Sequence, residues 1–195
     1  MGDDHRTRCN WATGSEIERD YHDIEWGMPL HDDCGLFEFL VLEGAQAGLS
    51  WRTVLAKRDH YRNAFKNFDI AACARLADSR IEQLLTNPGL IRNRLKITSV
   101  RDNARATLVA IEEFGSLDAF LWRFVDGQPI HNRWREKSEV PATTPLSERI
   151  SRELRRRGLR FVGSTICYAF MQATGMVNDH VVDCFRHRAV QLDKR

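Results

Sequence analysis

Apolar residues recur at intervals of three and four along most of the 195-residue chain. That spacing lays one face of an α-helix against a core. Val100, Ala104, Leu108 and Ile111 form one such stripe. No stretch sustains an alternation of apolar and polar residues, so strands are expected to be rare. Capping residues punctuate the stripes. Asp32 and Asp33 precede the apolar run Leu36 to Leu42, and Ser50 stands before the segment Trp51 to Phe65. Ser79 and Glu82 have the spacing of a capping box. Thr144 offers a capping hydroxyl just ahead of Pro145 at a first helical position. Gly115, Gly158 and Gly175 stand where helices should stop. Another helix is expected to end near Thr86 and its successor to begin near Leu90 or Ile91. Residues 126–143, with Gly127, Pro129 and Pro141, read as the main loop. There is no internal repeat or low-complexity segment. The pattern predicts an all-α fold over residues 1–195, one domain or two small lobes on a shared core.

Hydrophobic residues make up 43% of the sequence, enough for a sizeable core and too many for global disorder. Charges interrupt every apolar stretch, so no membrane span is expected. Met1 to His5 is polar and acidic, without the basic start and apolar run of a signal peptide, and a cytoplasmic location follows as the expectation. A formal net charge of +2 does not by itself mark a nucleic-acid binder. Two clusters matter more: Arg152, Arg155, Arg156, Arg157 and Arg160, and Arg92, Arg94, Lys96 and Arg101. For an isolated charge run a solvated helix face is the commoner reading. Five cysteines in such a chain favour metal binding or free thiols over a disulfide framework.

His180 and Cys184, spaced i and i+4, share one face if helical, which suits two ligands of one tetrahedral metal. Alone, that spacing is more often an accident. Cys9 and His22 stand near the other terminus, and their separation matches no compact zinc finger. Spacing does not connect the two pairs. Joining them through a metal would close a long loop and tie down both termini. Four protein ligands would fill a tetrahedral site and make the metal structural.

Residues 84–97 place Pro88 and Gly89 in a turn between two helices. Backbone N–H groups at such a turn can bind phosphate without reading sequence, and Arg92, Arg94 and Lys96 add charge beside it. An ordinary helix–helix turn remains the alternative. Trp11, Trp26 and Trp51 cluster in the N-terminal quarter with Tyr21, and Glu43 lies in the apolar run Phe39 to Leu42 and beyond. Aromatic residues are usually core. Together these could stack on an extruded base, with Glu43 and Tyr21 supplying hydrogen bonds. A carboxylate in an apolar pocket favours a cationic ligand.

Several longer motifs carry a resemblance. They are Tyr21-His22-Asp23-Ile24-Glu25-Trp26-Gly27, the run Leu42 to Trp51, Phe161 to Tyr168, and Val177 to Val182. From Cys9 to about Cys184 the chain resembles the bacterial 3-methyladenine DNA glycosylase I family, of the helix-hairpin-helix glycosylase superfamily. The resemblance implies excision of 3-methyladenine from double-stranded DNA by a monofunctional enzyme, for which a monomer suffices. It implies that Cys9, His22, His180 and Cys184 bind one structural zinc ion, clasping segment 9–22 to segment 180–184. It implies that Glu43 and Tyr21 contact the base, that Trp51 stacks on it, and that Trp11 and Trp26 help to form the pocket. Residues 84–97 would be the hairpin, with Pro88, Gly89, Arg92 and Arg94 gripping the DNA backbone. Gln46, Gly48 and Leu49 would approach the lesion. The family commonly has an aromatic residue three positions before the Tyr-His pair, where this sequence has Glu18. Asp118 lies downstream of the hairpin, where related enzymes carry a catalytic aspartate, and receives no role. Two other classes stay open: a zinc hydrolase in which Glu43 or Glu25 activates metal-bound water, and a lesion-binding module without catalysis. Cys34, Cys73, Cys167, His131 and His187 receive no function or partner.

Overall fold

The structure, a computed structural model, describes residues 6–192. Residues 1–5, on which the reading of the N-terminus rests, lie outside them. Eleven α-helices run in chain order among the described residues: α1 (Glu16–Ile24), α2 (Asp33–Gln46), α3 (Trp51–Leu55), α4 (Arg58–Ala64), α5 (Ile70–Ala74), α6 (Asp78–Leu85), α7 (Arg94–Phe114), α8 (Leu117–Trp122), α9 (Pro145–Arg156), α10 (Ser164–Ala173) and α11 (Phe185–Leu192). Two short strands, β1 (Ile130–His131) and β2 (Val177–Asn178), pair in parallel. The expected all-helical architecture holds, and β1 is the one regular pairing inside the long 126–143 connection. No described helix is long and apolar enough to cross a membrane.

The middle of the molecule is α2. Every residue from Leu36 to Ala45 is buried, so this helix has no solvent face. It packs against α3, α7, α8 and α10. A helix enclosed on all sides can bury polar groups only with partners. Glu38 has them: its Oε1 accepts from Arg58 Nε at 2.5 Å and from Arg62 Nε at 2.9 Å. Arg58 in turn donates to both oxygens of Glu25 and lies over the Phe39 ring.

Most of the expected caps form. Asp32, Ser50 and Thr144 accept from the first-turn amides of α2, α3 and α9, and Gly115 follows the last turn of α7. Gly158 and Gly175 follow the ends of α9 and α10. Three expectations need correction. The segment Trp51–Phe65 is two helices, broken at Ala56 and Lys57, and this break turns Arg58 into the Glu25–Glu38 pair. The Ser79–Glu82 capping box does not form: Ala77 occupies the N-cap without a side-chain bond, and Glu82 is drawn to Arg94 across the turn instead. The helix after the turn begins at Arg94, capped by Asn93, rather than near Leu90 or Ile91, because Leu90 is buried in the core. His187 has a partner, since its Nε2 lies 2.9 Å from the Asn132 carbonyl oxygen. All five cysteines are free thiols.

Gly175 fixes how the C-terminal segment leaves α10. Its φ is +70°, and a Cβ there would lie 2.3–2.6 Å from the backbone of Met28 and Pro29. The same approach lets Gly27 N–H donate to the Gln172 carbonyl and Leu30 N–H to that of Thr174. Gly175→Ala therefore meets both backbone strain and a clash with main chain. It is expected to destabilise the fold by at least about 2 kcal/mol, measured as a lower urea midpoint; an unchanged midpoint would contradict this packing.

Candidate active site and metal cluster

A cavity of about 630 Å³ opens between α1, α2, α3, α10 and the 135–142 segment. Its wall includes Trp11, Tyr21, Trp26, Glu43, Gln46 and Trp51. The structure thus brings together the aromatic and acidic residues picked out in the N-terminal quarter. Trp11 meets Trp26 edge-on with ring centres 5.0 Å apart, and Tyr21 lies 5.4 Å from Trp51.

Three polar groups in this wall lack protein partners. Glu43 is buried in α2 and accepts no hydrogen bond from any described residue, in contrast to Glu38 on the same helix. Burial alone pushes its carboxyl up to about 8 from an ordinary 4.5. The Tyr21 hydroxyl and the Trp51 indole Nε1 are also buried without a partner. Burial, and then the neighbouring Glu43, raises the Tyr21 phenol well above its ordinary range, so at neutral pH it is a donor. Leaving one such group unsatisfied costs about 1–3 kcal/mol. Three of them on one cavity define a place for a ligand that offers complementary hydrogen bonds.

Local structure explains their convergence. Glu18, Tyr21 and His22 project from α1, whose start is capped by Ser15. Glu43 and Gln46 lie near the end of α2. Lys96 of α7 donates to the carbonyls of Ala45 and Ala47 at 2.8 and 2.6 Å, fastening the turn that carries Gly48 and Leu49. Leu49 is exposed at the tip, and Gly48 has φ +79°. Trp51 opens α3 directly afterwards.

The metal candidates also come together. Cys9, His22, His180 and Cys184 are all buried, and their ligand atoms lie within 4.8 Å of one another. The residues around them fix which ring nitrogens face inward. His22 Nδ1 donates to the Asp23 carboxylate at 2.8 Å, because that oxygen can only accept. His180 Nε2 likewise donates to the Trp26 carbonyl at 3.1 Å. The remaining nitrogens, His22 Nε2 and His180 Nδ1, are then both lone pairs and face each other at 3.2 Å. No proton lies between them, and two thiols complete the group. Such a donor set suits a cation. Burial lowers the basicity of His180. A hydrogen bond between the two thiols pulls Cys184 down and holds Cys9 up, since both cannot be anionic here without a compensating charge. Burial opposes ionisation of Asp23, but hydrogen bonds from Arg8 and His22 outweigh it and keep the carboxyl below its ordinary range. The cluster adjoins the cavity: Trp11 packs 5.4 Å from His22, and Tyr21 is its chain neighbour.

Asp179 was missed in the sequence. It is buried in the cavity wall and accepts four hydrogen bonds, from Asn132, Trp134, Tyr168 and Gln172. It ties the 130–134 segment to α10 immediately beside His180. Its place directly before His180, a metal candidate, was the available signal. Asp118 lies elsewhere, paired with His31 at 2.7 Å near the start of α2. Ten residues of helix, about 15 Å, separate that end from Glu43.

The turn between α6 and α7 is braced from α4 and the residue before it. Lys57 donates to the Pro88 carbonyl at 2.7 Å, and Gly89 packs so close to His60 that a Cβ would lie 2.5 Å from the imidazole. Arg92 is exposed and forms no ion pair with a described residue, whereas Arg94 is paired with Glu82. The C-terminal arginines are largely engaged: Arg156 and Arg157 bind Glu153, and Arg157 also binds Glu113.

Known proteins share both the sequence and the architecture. The family model for methyladenine glycosylase matches residues 11–187. DNA-3-methyladenine glycosylase 1 of Escherichia coli (strain K12) is 46% identical over 177 residues, covering 91% of this chain and 95% of its own length. A crystal structure of 3-methyladenine DNA glycosylase I superposes with a TM-score of 0.88 at 48% identity, over 92% of this chain and 98% of that one. A Tyr→Phe variant of 3-methyladenine DNA glycosylase I in complex with 3-methyladenine superposes at 0.89 with 31% identity, over 91% and 96%. With sequence and fold shared over nearly its whole length, this chain belongs to the methyladenine glycosylase family.

Proposed function

We propose that the protein is a base-excision DNA glycosylase that hydrolyses the N-glycosidic bond of 3-methyladenine in alkylated double-stranded DNA, leaving an abasic site. The observation that carries this reading is the set of three unpartnered groups, Glu43, Tyr21 and Trp51, on one aromatic cavity. A base inside a duplex is out of reach, so the nucleotide must be extruded into the pocket. There the ring stacks on Trp51, with Trp11 and Trp26 closing the wall, while Tyr21 and Glu43 bond to its edge. Methylation at N3 makes the attached base cationic. When the C1′–N9 bond breaks, its electron pair passes to the base, which leaves neutral. Water adds to C1′ and releases a proton. Little general-acid help is needed, and the pocket contributes by holding the base and stabilising positive charge on the sugar.

Residues 84–97 would act as a helix-hairpin-helix grip on the DNA backbone. The brace at Pro88 and Gly89 and the unpaired Arg92 support this; Arg94 would first have to leave Glu82. Gln46, Gly48 and Leu49, on the turn held by Lys96, would face the duplex beside the extruded base.

The Cys9–His22–His180–Cys184 group would hold one structural zinc ion. Bonds of about 2.0–2.1 Å to nitrogen and about 2.3 Å to sulfur give tetrahedral edges of about 3.3 Å between nitrogens and about 3.6 Å between nitrogen and sulfur. The corresponding separations are 3.2 Å, and 3.4, 3.6 and 3.7 Å. Zinc there would supply a rigid charge clasping both ends of the chain. Four protein ligands leave no position for a reacting water, which disfavours a zinc hydrolase.

Purified protein is expected to release 3-methyladenine from methylated duplex DNA, and Glu43→Gln to lower release by about a hundredfold and to weaken binding of free 3-methyladenine. Full retention of both would remove Glu43 from the site. Binding to abasic DNA with no release by the unaltered protein would favour the lesion-binding module.

Glu43 also sets a pH dependence of stability. Between its ordinary 4.5 and about 8 the folded chain holds a proton that the unfolded chain has lost. The contribution is fully present below the lower value and is lost as pH rises through the upper one, by up to about 1.4 kcal/mol per pH unit. Glu43→Gln is therefore expected to stabilise the protein at pH 9 by a few kcal/mol relative to its effect at pH 4.5. Urea unfolding at the two pH values measures this; an equal effect at both would contradict it.

Chelation is expected to remove one metal ion per chain and to lower the melting temperature by about 10 °C or more. The cobalt-substituted protein should show a tetrahedral spectrum without exchangeable water. Metal-free protein that melts unchanged would overturn the clasp.

A further inference from the structure

Glu18 stands on the cavity wall one helical turn before Tyr21. Its Oε2 accepts from Ser15 Oγ at 2.6 Å and from Arg52 Nε at 2.9 Å, with Arg52 Nη2 at 2.8 Å. Every hydrogen bond of the carboxylate falls on Oε2, so Oε1 has no donor among the described residues. The glycine at position 14 makes room for this pair: a Cβ there would lie 2.7 Å from Arg52 Nη2. The Glu18 side chain is only 13% exposed, and its partner follows Trp51 directly in sequence.

The other carboxyls of the wall differ. Glu43 is buried without a counter-charge, which favours its neutral form at pH 7. Both oxygens of Asp179 are occupied by four donors. Glu136 and Asp183 are exposed at the margin, where solvent screens them. Glu18 is the wall carboxylate that combines an ion pair with an oxygen to which no described residue donates.

We infer that Glu18, held by Arg52 and Ser15, is the specificity-determining anion of this pocket, favouring a base that is cationic while still attached to its sugar. The assignment rests on the glycosylase reading. It gives the pocket a means of discriminating before and after bond cleavage. The attached N3-methylated base carries positive charge and is attracted to Glu18, while the departing base is neutral and is not. Binding energy is thus applied to the substrate and withdrawn from the product. An aromatic side chain at this position would stack on both forms alike. The same charge disfavours neutral lesions, so this protein should have a narrower range than a pocket walled by rings.

The test uses the full-length protein and two free ligands read by tryptophan fluorescence. They are the permanent cation 3,9-dimethyladeninium, a mimic of the attached base, and 3-methyladenine at a pH where it is neutral. Glu18→Gln is expected to weaken binding of the cation about tenfold, a change set by one partly screened charge. Binding of the neutral base should stay within about twofold. Glu18→Asp, which keeps the charge, should recover part of the loss. Equal weakening of both ligands, or no weakening of the cation, overturns the assignment. If Glu18→Gln fails to fold, Glu18→Asp decides: a preference for the cation that persists supports the assignment, and its loss with the neutral base still bound overturns it. Release of base from methylated DNA by the unaltered protein is read in parallel. Failure there overturns the activity, while the ligand preference still decides the role of Glu18.

Discussion

A carboxyl group enclosed by α2 and its neighbours, with no partner in the protein, is the constraint around which the site is arranged. The same helix shows how such a group is ordinarily accommodated: Glu38 receives two arginines, and those arginines are placed by the break between α3 and α4. Glu43, one and a half turns later, receives none. Its isolation raises its proton affinity and removes stability at alkaline pH, and it persists beside two further unpartnered donors. A packed core tolerates such a cluster only where a ligand completes it.

The pocket depends on its wall staying in place, and the wall belongs to the chain ends. Tyr21 precedes His22, Trp26 presents its carbonyl to His180, and Asp179 precedes His180 while binding four donors from two segments. Residues of the Cys/His cluster and residues of the cavity wall thus alternate along the same short stretches. Disturbing the cluster would move the aromatic wall as well.

Much of this was legible in the chain. The helical stripes, the caps at Asp32, Ser50 and Thr144, and the stop at Gly115 are local signals, and they appear where local chemistry puts them. The failures have tertiary causes. Glu82 had the spacing of a capping box but found Arg94, and the 51–65 segment was broken so that Arg58 could reach two carboxylates distant in sequence. The acidic and aromatic members of the pocket were visible because Glu43 interrupts an apolar run and the tryptophans crowd one quarter of the chain. Spacing could not pair Cys9 and His22 with His180 and Cys184; only the fold brings them together. Asp179 was invisible as a hub because its four donors come from positions 132 to 172. The charge clusters near residues 94 and 156 looked like free cations, yet Arg94, Arg101 and Arg157 each meet a carboxylate of another helix.

The unpartnered groups of the cavity would be completed by the edge and face of a methylated base. The indole N–H of Trp51 reports on this directly, since it is buried and makes no hydrogen bond in the free protein. In a nitrogen-15 NMR titration with 3-methyladenine, the account predicts a saturable shift of the Trp51 indole signal, with Trp122 and Trp134, whose indoles already donate to Leu30 and Asp179, much less affected. Saturable binding that leaves the Trp51 signal unmoved would contradict it.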